Sequence, residues 1–226
     1  MPKAIRASIA LLAGLLIFVG LPLLVWGIGD LSGFFHNPAR LAYVALTVVL
    51  QTITMIAMPS AGENRFSGGE SVSRQKIGVV ALQVLCLAVV VIAPYSDRHN
   101  SGILADSTAI RFIGLVVYLI GSVMMNWAEA ALGDQFTVQV AVREDHRLIT
   151  TGIYRYLRHP RYLGILLAMS GISLVFRSWY SLIAVALLAV VLIWRIYDEE
   201  SLMNRHFGSE WENYSRKSWR LIPFLY

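Results

Sequence analysis

The chain alternates between long uncharged apolar runs and shorter polar stretches, which is the pattern of a protein that crosses a membrane several times. Spanning the hydrocarbon core takes about 20 apolar residues at about 1.5 Å each. We therefore predict an all-α, polytopic membrane helix bundle of about six segments. The six runs are Ala7–Gly29, Leu41–Met58, Ile77–Tyr95, Phe112–Ala128, Tyr162–Phe176 and Ser178–Trp194.

The last two runs predict a hairpin, because only Arg177 separates them. The run Tyr162–Phe176 is short, about 22 Å long by the helical rise, so it fits either a full span or a re-entrant segment. A polar, Arg-rich stretch from Gly133 to Arg161 precedes it. We divide the chain into four N-terminal membrane helices (1–132) and a catalytic and cofactor region that includes the terminal hairpin (133–226).

The basic residues predict which side of the membrane each loop faces. Cytoplasmic loops carry an excess of Lys and Arg. With six segments and a cytoplasmic N-terminus, 15 of the 19 basic residues lie inside, and the other four, Arg40, Arg98, Arg111 and Arg177, lie outside. We expect a multi-pass protein with both termini and the active site in the cytoplasm. The inside residues are Lys3, Arg6, Arg65, Arg74, Lys76, Arg143, Arg147, Arg155, Arg158, Arg161, Arg195, Arg205, Arg216, Lys217 and Arg220.

Composition narrows the class of protein. The hydrophobic share is 57% and the charged share 15%, against roughly 45–50% apolar for soluble domains, which excludes a disordered chain and disfavours a water-soluble one. The single cysteine, Cys86, excludes an intrachain disulfide and a Cys-based metal site. The net charge of +5 reflects membrane sidedness better than nucleic-acid binding.

Two groups of polar residues near the C-terminus are candidates for chemistry. Pro160 suits the first turn of a helix, which puts His159 where free backbone N–H groups favour an anion; an ordinary interfacial anchor is the alternative. Arg195 follows an apolar run and lies one helical turn before Glu199, next to Glu200. Ionisable groups near the membrane core usually line a cavity, although snorkelling at a helix end also fits.

The order and spacing of these residues resemble the isoprenylcysteine carboxyl methyltransferase family of integral membrane enzymes. The resemblance covers about residues 130–226, and the first four segments add only hydrophobicity to it. The matching positions are Gln139, His146-Arg147-Leu148-Ile149, Gly152-Ile153-Tyr154, Arg158-His159-Pro160-Arg161-Tyr162-Leu163-Gly164, Arg195, Glu199-Glu200, Phe207-Gly208, Tyr214 and Ile222-Pro223.

The resemblance implies a cytoplasmic S-adenosylmethionine pocket formed by the loop before the hairpin and by the C-terminus. A glycine-rich dinucleotide loop after a strand is absent from the sequence. Arg195 is implied to bind the substrate carboxylate, and Arg195 and His159 are the implied catalytic residues. At Arg147 and Arg161 we expect contacts through backbone atoms. The implied cofactor contacts are Gln139, His146, Arg147, Leu148, Ile149, Tyr154, His159, Pro160, Arg161, Tyr162 and Glu200.

The implied reaction is methyl transfer to the carboxylate of a prenylcysteine-like lipophilic acceptor, with S-adenosylhomocysteine as the product. A carboxylate is already ionised near neutral pH, so the protein mainly aligns the reactants. The expected partners are a lipophilic or lipidated acceptor and membrane lipid, with no nucleic acid and no metal. Three alternatives remain: a phospholipid N-methyltransferase with His159 or Glu129 as base, an NADPH-dependent sterol-type reductase, and a non-catalytic transporter or scaffold.

The topology gives a first testable prediction. Cysteine accessibility tags placed at Ser67 and Ser101 should react from opposite sides of the membrane, because the first residue lies in a predicted inner loop and the second in a predicted outer loop. Labelling of both positions from one side would disprove the arrangement of segments.

Overall fold

The computed structural model describes residues 3–57, 70–71, 74–105, 107–133, 141–142 and 148–224, and these residues form a helical bundle. A π-helical turn (Leu16–Gly20) joins α1 to α2, and 3-10 turns cover Ile28–Asp30 and Gly152–Arg155. Strands β1 (Glu70–Ser71) and β2 (Ala141–Val142) pair antiparallel, with Glu70 opposite Val142. The helices are α1 (Lys3–Leu15), α2 (Leu21–Trp26), α3 (Leu31–His36), α4 (Pro38–Ala57), α5 (Arg74–His99), α6 (Thr108–Leu132), α7 (Pro160–Val175), α8 (Trp179–Phe207) and α9 (Ser209–Ser215).

Five helical stretches are long and apolar enough to cross a membrane, and the predicted all-α membrane fold is confirmed. The remaining predicted segment, the fifth along the chain, is α7, which has only 16 residues. Its first residue is Pro160, as the sequence predicts. The hairpin is also present, because α7 and α8 are separated only by Phe176, Arg177 and Ser178. The five spans are Ile5–Trp26, Pro38–Ile56, Ile77–His99, Thr108–Leu132 and Trp179–Phe207.

The first predicted segment is interrupted, which the apolar pattern does not reveal. Pro22 has no N–H to donate to the carbonyl of Phe18, four residues before it. The hydroxyl of Tyr43 on α4 donates to that carbonyl at 2.7 Å instead. Backbone groups within a membrane must be satisfied inside the protein, so this contact makes the π-helical turn tolerable.

Helices α6 and α7 are in direct backbone contact through glycines. A Cβ added at Gly121 would lie 2.4 Å from the backbone nitrogen of Ala168, and one at Gly171 would lie 2.4 Å from that of Tyr118. A Cβ added at Gly114 or Gly164 would lie 2.6 Å or 2.8 Å, respectively, from backbone atoms of the facing helix. Small residues at such positions allow close packing where the hydrophobic effect gives no drive between helices. The two helices run antiparallel, because Gly114 near the start of α6 lies against Val175 at the end of α7, and Gly121 lies against Ala168.

Helix α8 is longer than the hydrocarbon core of a membrane is thick. Its 29 residues extend about 43 Å at the helical rise, against a hydrocarbon core of about 30 Å. Arg195 lies about 24 Å along the helix from Trp179 by the same rise. Arg195 therefore ends the apolar part of α8, and the helix continues beyond it to Phe207.

At one end of the bundle, a single carboxylate holds three guanidinium groups. The side chain of Asp97 on α5 is fully buried. It accepts from Arg40 of α4 at 2.8 Å, from Arg111 of α6 at 2.8 Å, and from Arg177 of the α7–α8 turn at 2.7 Å. Arg40 and Arg111 also donate to the carbonyls of Phe34 and Val175. The cluster therefore ties four parts of the chain together.

The same cluster bears on the predicted sidedness. Arg40, Arg111 and Arg177 are three of the four basic residues assigned to the outer side, and they meet at one end of the bundle. Arg158 and Arg161, assigned to the inner side, lie at the start of α7 and so at its opposite end. The relative grouping of these loops agrees with the sequence, while the cytoplasmic orientation stays a prediction.

We expect the Asp97→Asn substitution to destabilise the protein strongly. It removes the only negative charge among these four side chains, and breaking a buried ion pair typically costs about 3–5 kcal/mol. Thermal unfolding in detergent would measure the loss. Asp30→Asn is a matched control, because the Arg98–Asp30 pair is about one-third exposed and such pairs contribute about 0–1 kcal/mol. Equal melting temperatures for the two variants would contradict this role of Asp97.

Candidate active site

The C-terminal segment fixes the backbone at the start of α7. The N–H of Arg158 donates to the carbonyl of Trp219 at 2.8 Å, and the N–H of His159 donates to the carbonyl of Arg220 at 3.0 Å. The neighbouring Leu221 is buried in the main hydrophobic core. Since its main chain is held in this way, His159 is presented at a defined place beside α8.

Arg195 lies at the centre of a buried polar cluster. Its side chain is 3% exposed. Its Nε donates to the hydroxyl of Tyr162 at 3.3 Å, and its Nη2 donates to Glu199 Oε1 at 3.3 Å. The Tyr162 hydroxyl in turn donates to Glu199. The Arg195–Glu199 pairing that their helical spacing suggests is therefore present, and it is shared with α7 through Tyr162.

His159 lies between the two adjacent carboxylates of α8. Its Nδ1 is 3.5 Å from Glu199 Oε2, and its Nε2 is 3.4 Å from Glu200 Oε1. Burial alone disfavours a charged ring, but the hydrogen bonds and negative charges of Glu199 and Glu200 outweigh it and raise the pKa of His159 above its ordinary value. The contact of buried Nε2 with Glu200 is an ion pair without a well-aligned hydrogen bond within the described residues.

Glu200 is bound by two arginines, one at each oxygen. Its Oε1 accepts from Arg158 Nε at 2.8 Å, and its Oε2 accepts from Arg220 Nε at 2.8 Å. Arg158 also donates to the carbonyl of Ser218 at 2.8 Å. Glu200 thus joins α8 to the start of α7 and to the C-terminal segment. A cofactor group that binds Glu200, as predicted, would share its oxygens with the guanidinium groups of Arg158 and Arg220.

Other predicted contact residues border the same region. The side chain of Arg161 donates to Glu129 of α6 at 2.7 Å, and the expected ligand contact through its backbone stays a prediction. Buried Tyr154 donates to the carbonyl of Ala128 at 3.4 Å, and burial raises the pKa of its hydroxyl. Ile149 packs against the small cluster that contains Tyr154, and Leu148 beside it is partly buried.

The structure brings together the predicted residues His159, Tyr162, Arg195 and Glu200. Gln139, His146 and Arg147 lie outside the described residues, so their predicted roles stay predictions. Within the described part of the chain, no group of three or more His, Cys, Asp or Glu side chains could hold a metal ion.

Arg158 and Glu199 are motif positions in the sequence without a predicted role in the site, and the sequence does not connect Arg220 with the site. The helical spacing of Arg195 and Glu199 is the signal that links Glu199 to Arg195. The pairing of Glu200 with Arg158 and Arg220 joins residues 42 and 20 positions apart, and such distant pairings leave no local pattern.

Comparison with known proteins supports the predicted family. Residues 112–205 match the sequence model of the isoprenylcysteine carboxyl methyltransferase family. The match begins within α6, earlier than the predicted start near residue 130, and stops before Phe207-Gly208, Tyr214 and Ile222-Pro223. The resemblance predicted from the C-terminal motifs is confirmed.

Individual relatives agree with this assignment. A probable protein-S-isoprenylcysteine O-methyltransferase of Oryza sativa subsp. indica is 27% identical over 167 residues, which cover 71% of this chain and 85% of that protein. The protein-S-isoprenylcysteine O-methyltransferase of Dictyostelium discoideum is 30% identical over 130 residues, or about half of each chain. The structure of a eukaryotic intramembrane Ras methyltransferase matches with a TM-score of 0.51 and 22% identity, covering 99% of this chain and 75% of that one. At this level of identity, the structural match shows that the two proteins share a fold.

The raised pKa of His159 predicts a pH-dependent stability. The charged ring is favoured in the folded state, so its contribution is complete below the ordinary histidine pKa of about 6.5 and disappears as the pH rises through the higher folded-state value. Melting temperatures of the wild type and His159→Gln in detergent should therefore differ most in mild acid and converge in alkali. A difference that is constant across this range would contradict a charged His159 between the two carboxylates.

Proposed function

We propose that this chain, whose residues 112–205 belong to the isoprenylcysteine carboxyl methyltransferase family, methylates the carboxylate of a prenylcysteine-like lipophilic acceptor with S-adenosylmethionine. Its relatives bear the name protein-S-isoprenylcysteine O-methyltransferase, which favours carboxyl methylation over a phospholipid amine acceptor, a sterol-type reductase or a transporter. The substrate, the methyl donor and a cytoplasmic active site are parts of this proposal.

The observation that carries the proposal is the position of Arg195. It is a buried guanidinium at the end of the apolar part of α8, and the residues that precede it on this helix are almost all apolar. A prenylcysteine has the matching shape, with a long apolar chain that stays in the bilayer and a carboxylate at its polar end. The planar guanidinium suits a carboxylate, because it can donate to both oxygens in one plane.

The cluster around Arg195 keeps the guanidinium in place before the acceptor arrives. Tyr162 and Glu199 hold its Nε and Nη2 edge, so less conformational freedom is lost when a carboxylate binds. Because the acceptor is already ionised near neutral pH, the residues of this chain need to orient it and exclude water. Such alignment can supply several kcal/mol.

The residues present also fit S-adenosylmethionine. The carboxylates of Glu199 and Glu200 keep some exposed surface, and they can accept hydrogen bonds from hydroxyl or ammonium groups of this ligand. Tyr154 and the segment Leu148–Ile149 provide an adjoining apolar wall. When bound, this cofactor supplies a methyl group on a sulfonium; the methyl–sulfur bond breaks as the bond to the carboxylate oxygen forms, and S-adenosylhomocysteine leaves.

The Arg195→Ala variant should lose methyl transfer but retain affinity for S-adenosylmethionine, because Arg195 is assigned to the acceptor. We expect a loss of kcat/KM on the order of 100-fold. Arg195→Lys should restore little, since an ammonium lacks the planar fork. The assay follows labelled methyl transfer to N-acetyl-S-farnesylcysteine in detergent or vesicles.

Two further variants separate this role from a structural one. Arg205→Ala is a matched control on the same helix and should behave as the wild type, because Arg205 is exposed and, among the described residues, its side chain donates only to the nearby Ser201. Glu199→Gln should be milder than Arg195→Ala if Arg195 acts on the acceptor. Full activity of Arg195→Ala would refute the carboxylate assignment. Transfer to a lipid amine, with none to a prenylcysteine, would favour the phospholipid alternative.

A further inference from the structure

The first turns of α5 lie directly on the stem of Arg195. A Cβ added at Gly78 would be 3.2 Å from Cγ and 3.4 Å from Cδ of Arg195, and 3.4 Å from Cζ3 of Trp194. Gly78 is buried. A contact at 3.2 Å is tighter than ordinary packing, so a side chain at this position displaces the stem of Arg195 or the start of α5.

The stem of Arg195 has little room to yield. Its guanidinium is held from α7 by Tyr162 and from α8 by Glu199, and the whole side chain is 3% exposed. Gly78 closes the third side, from α5. A side chain added at Gly78 would push on the stem of Arg195 and so displace the guanidinium that is proposed to bind the acceptor.

The environment of Gly78 differs from that of the packing glycines. Gly114, Gly121, Gly164 and Gly171 each face backbone atoms of another helix at 2.8 Å or less, which close helix packing accounts for. The nearest atoms to Gly78 all belong to the side chains of Arg195 and Trp194. The missing side chain at Gly78 therefore sets the position of those two side chains rather than the spacing of two backbones.

We propose that Gly78 is a positioning residue for Arg195 and thereby sets the preference for an acceptor with a free carboxylate. This inference rests on the proposed function. It brings α5, which lies outside the family match at 112–205, into the active site. The N-terminal helices then contribute a specific contact to the chemistry as well as a lipid-facing shell.

The test compares Gly78→Ala and Gly78→Val with the wild type. The main readout is the ratio of affinities for N-acetyl-S-farnesylcysteine and its methyl ester, both measured as inhibitors of photo-crosslinking by a farnesyl probe. This ratio responds to the guanidinium and not to a general loss of folded protein. In Gly78→Ala, a displacement of the Arg195 stem by a few tenths of an ångström should reduce the preference for the acid over the ester about fivefold. In Gly78→Val, the larger displacement should reduce kcat/KM on the order of 100-fold, with the affinity for the methyl donor unchanged.

Gly20→Ala is the matched control. Its added Cβ meets other atoms only at an ordinary 3.7 Å, so it tests the effect of replacing a helical glycine by alanine without pressing on the site. It should leave the acid-to-ester ratio at the wild-type value. A normal ratio in Gly78→Val would overturn the proposal, provided that the melting temperature shows the variant is folded.

A readout that needs no activity separates this inference from the proposed function. Phenylglyoxal modifies accessible arginines, and peptide mass spectrometry reports the rate at Arg195 alone. Displacement of the stem should make Arg195 of Gly78→Val react several-fold faster than in the wild type or Gly20→Ala. Unchanged reactivity would refute the positioning role. Faster reactivity with no methyl transfer by the wild type would retain the Gly78–Arg195 coupling and refute the proposed reaction.

Discussion

Direct backbone contact between α6 and α7 is the constraint on which the geometry of the site depends. The helix α7 is short, and four glycines bring its backbone against that of α6. This contact fixes where α7 begins, and with it the positions of His159 and Tyr162. The ion pair between Arg161 and Glu129 joins the two helices at the site end. The α7 residues next to Arg195 are thus positioned by contacts between α6 and α7 that involve no catalytic side chain.

The two ends of the bundle use charge differently. At one end, Asp97 neutralises part of the charge of three arginines and its side chain is closed off from solvent, which makes the cluster a structural tie. At the other end, Arg195, Glu199, His159 and Glu200 form a chain of contacts between α7 and α8, with some exposed surface on both carboxylates. The first arrangement stabilises the fold, and the second retains the capacity to bind ligands that the proposed reaction needs.

The sequence predicts those features that depend on local pattern. The apolar runs predict the spanning helices, Pro160 predicts the start of α7, and the motif order predicts the family. The contacts of Asp97 with Arg40, Arg111 and Arg177 are missed, because sidedness counting treats each arginine as an isolated surface charge. The roles of Gly78 and Arg220 are missed for a related reason, since each depends on a partner in a distant helix. The division of the chain at residue 133 stays a prediction.

The most direct test of the proposed function is a calorimetric titration of the purified protein in detergent with S-adenosylmethionine and, separately, with NADPH. The family match at residues 112–205 and the names of the relatives favour a methyl donor over a nicotinamide dinucleotide. We predict saturable binding of S-adenosylmethionine and none of NADPH. Binding of NADPH without binding of S-adenosylmethionine would contradict the assignment as a methyltransferase.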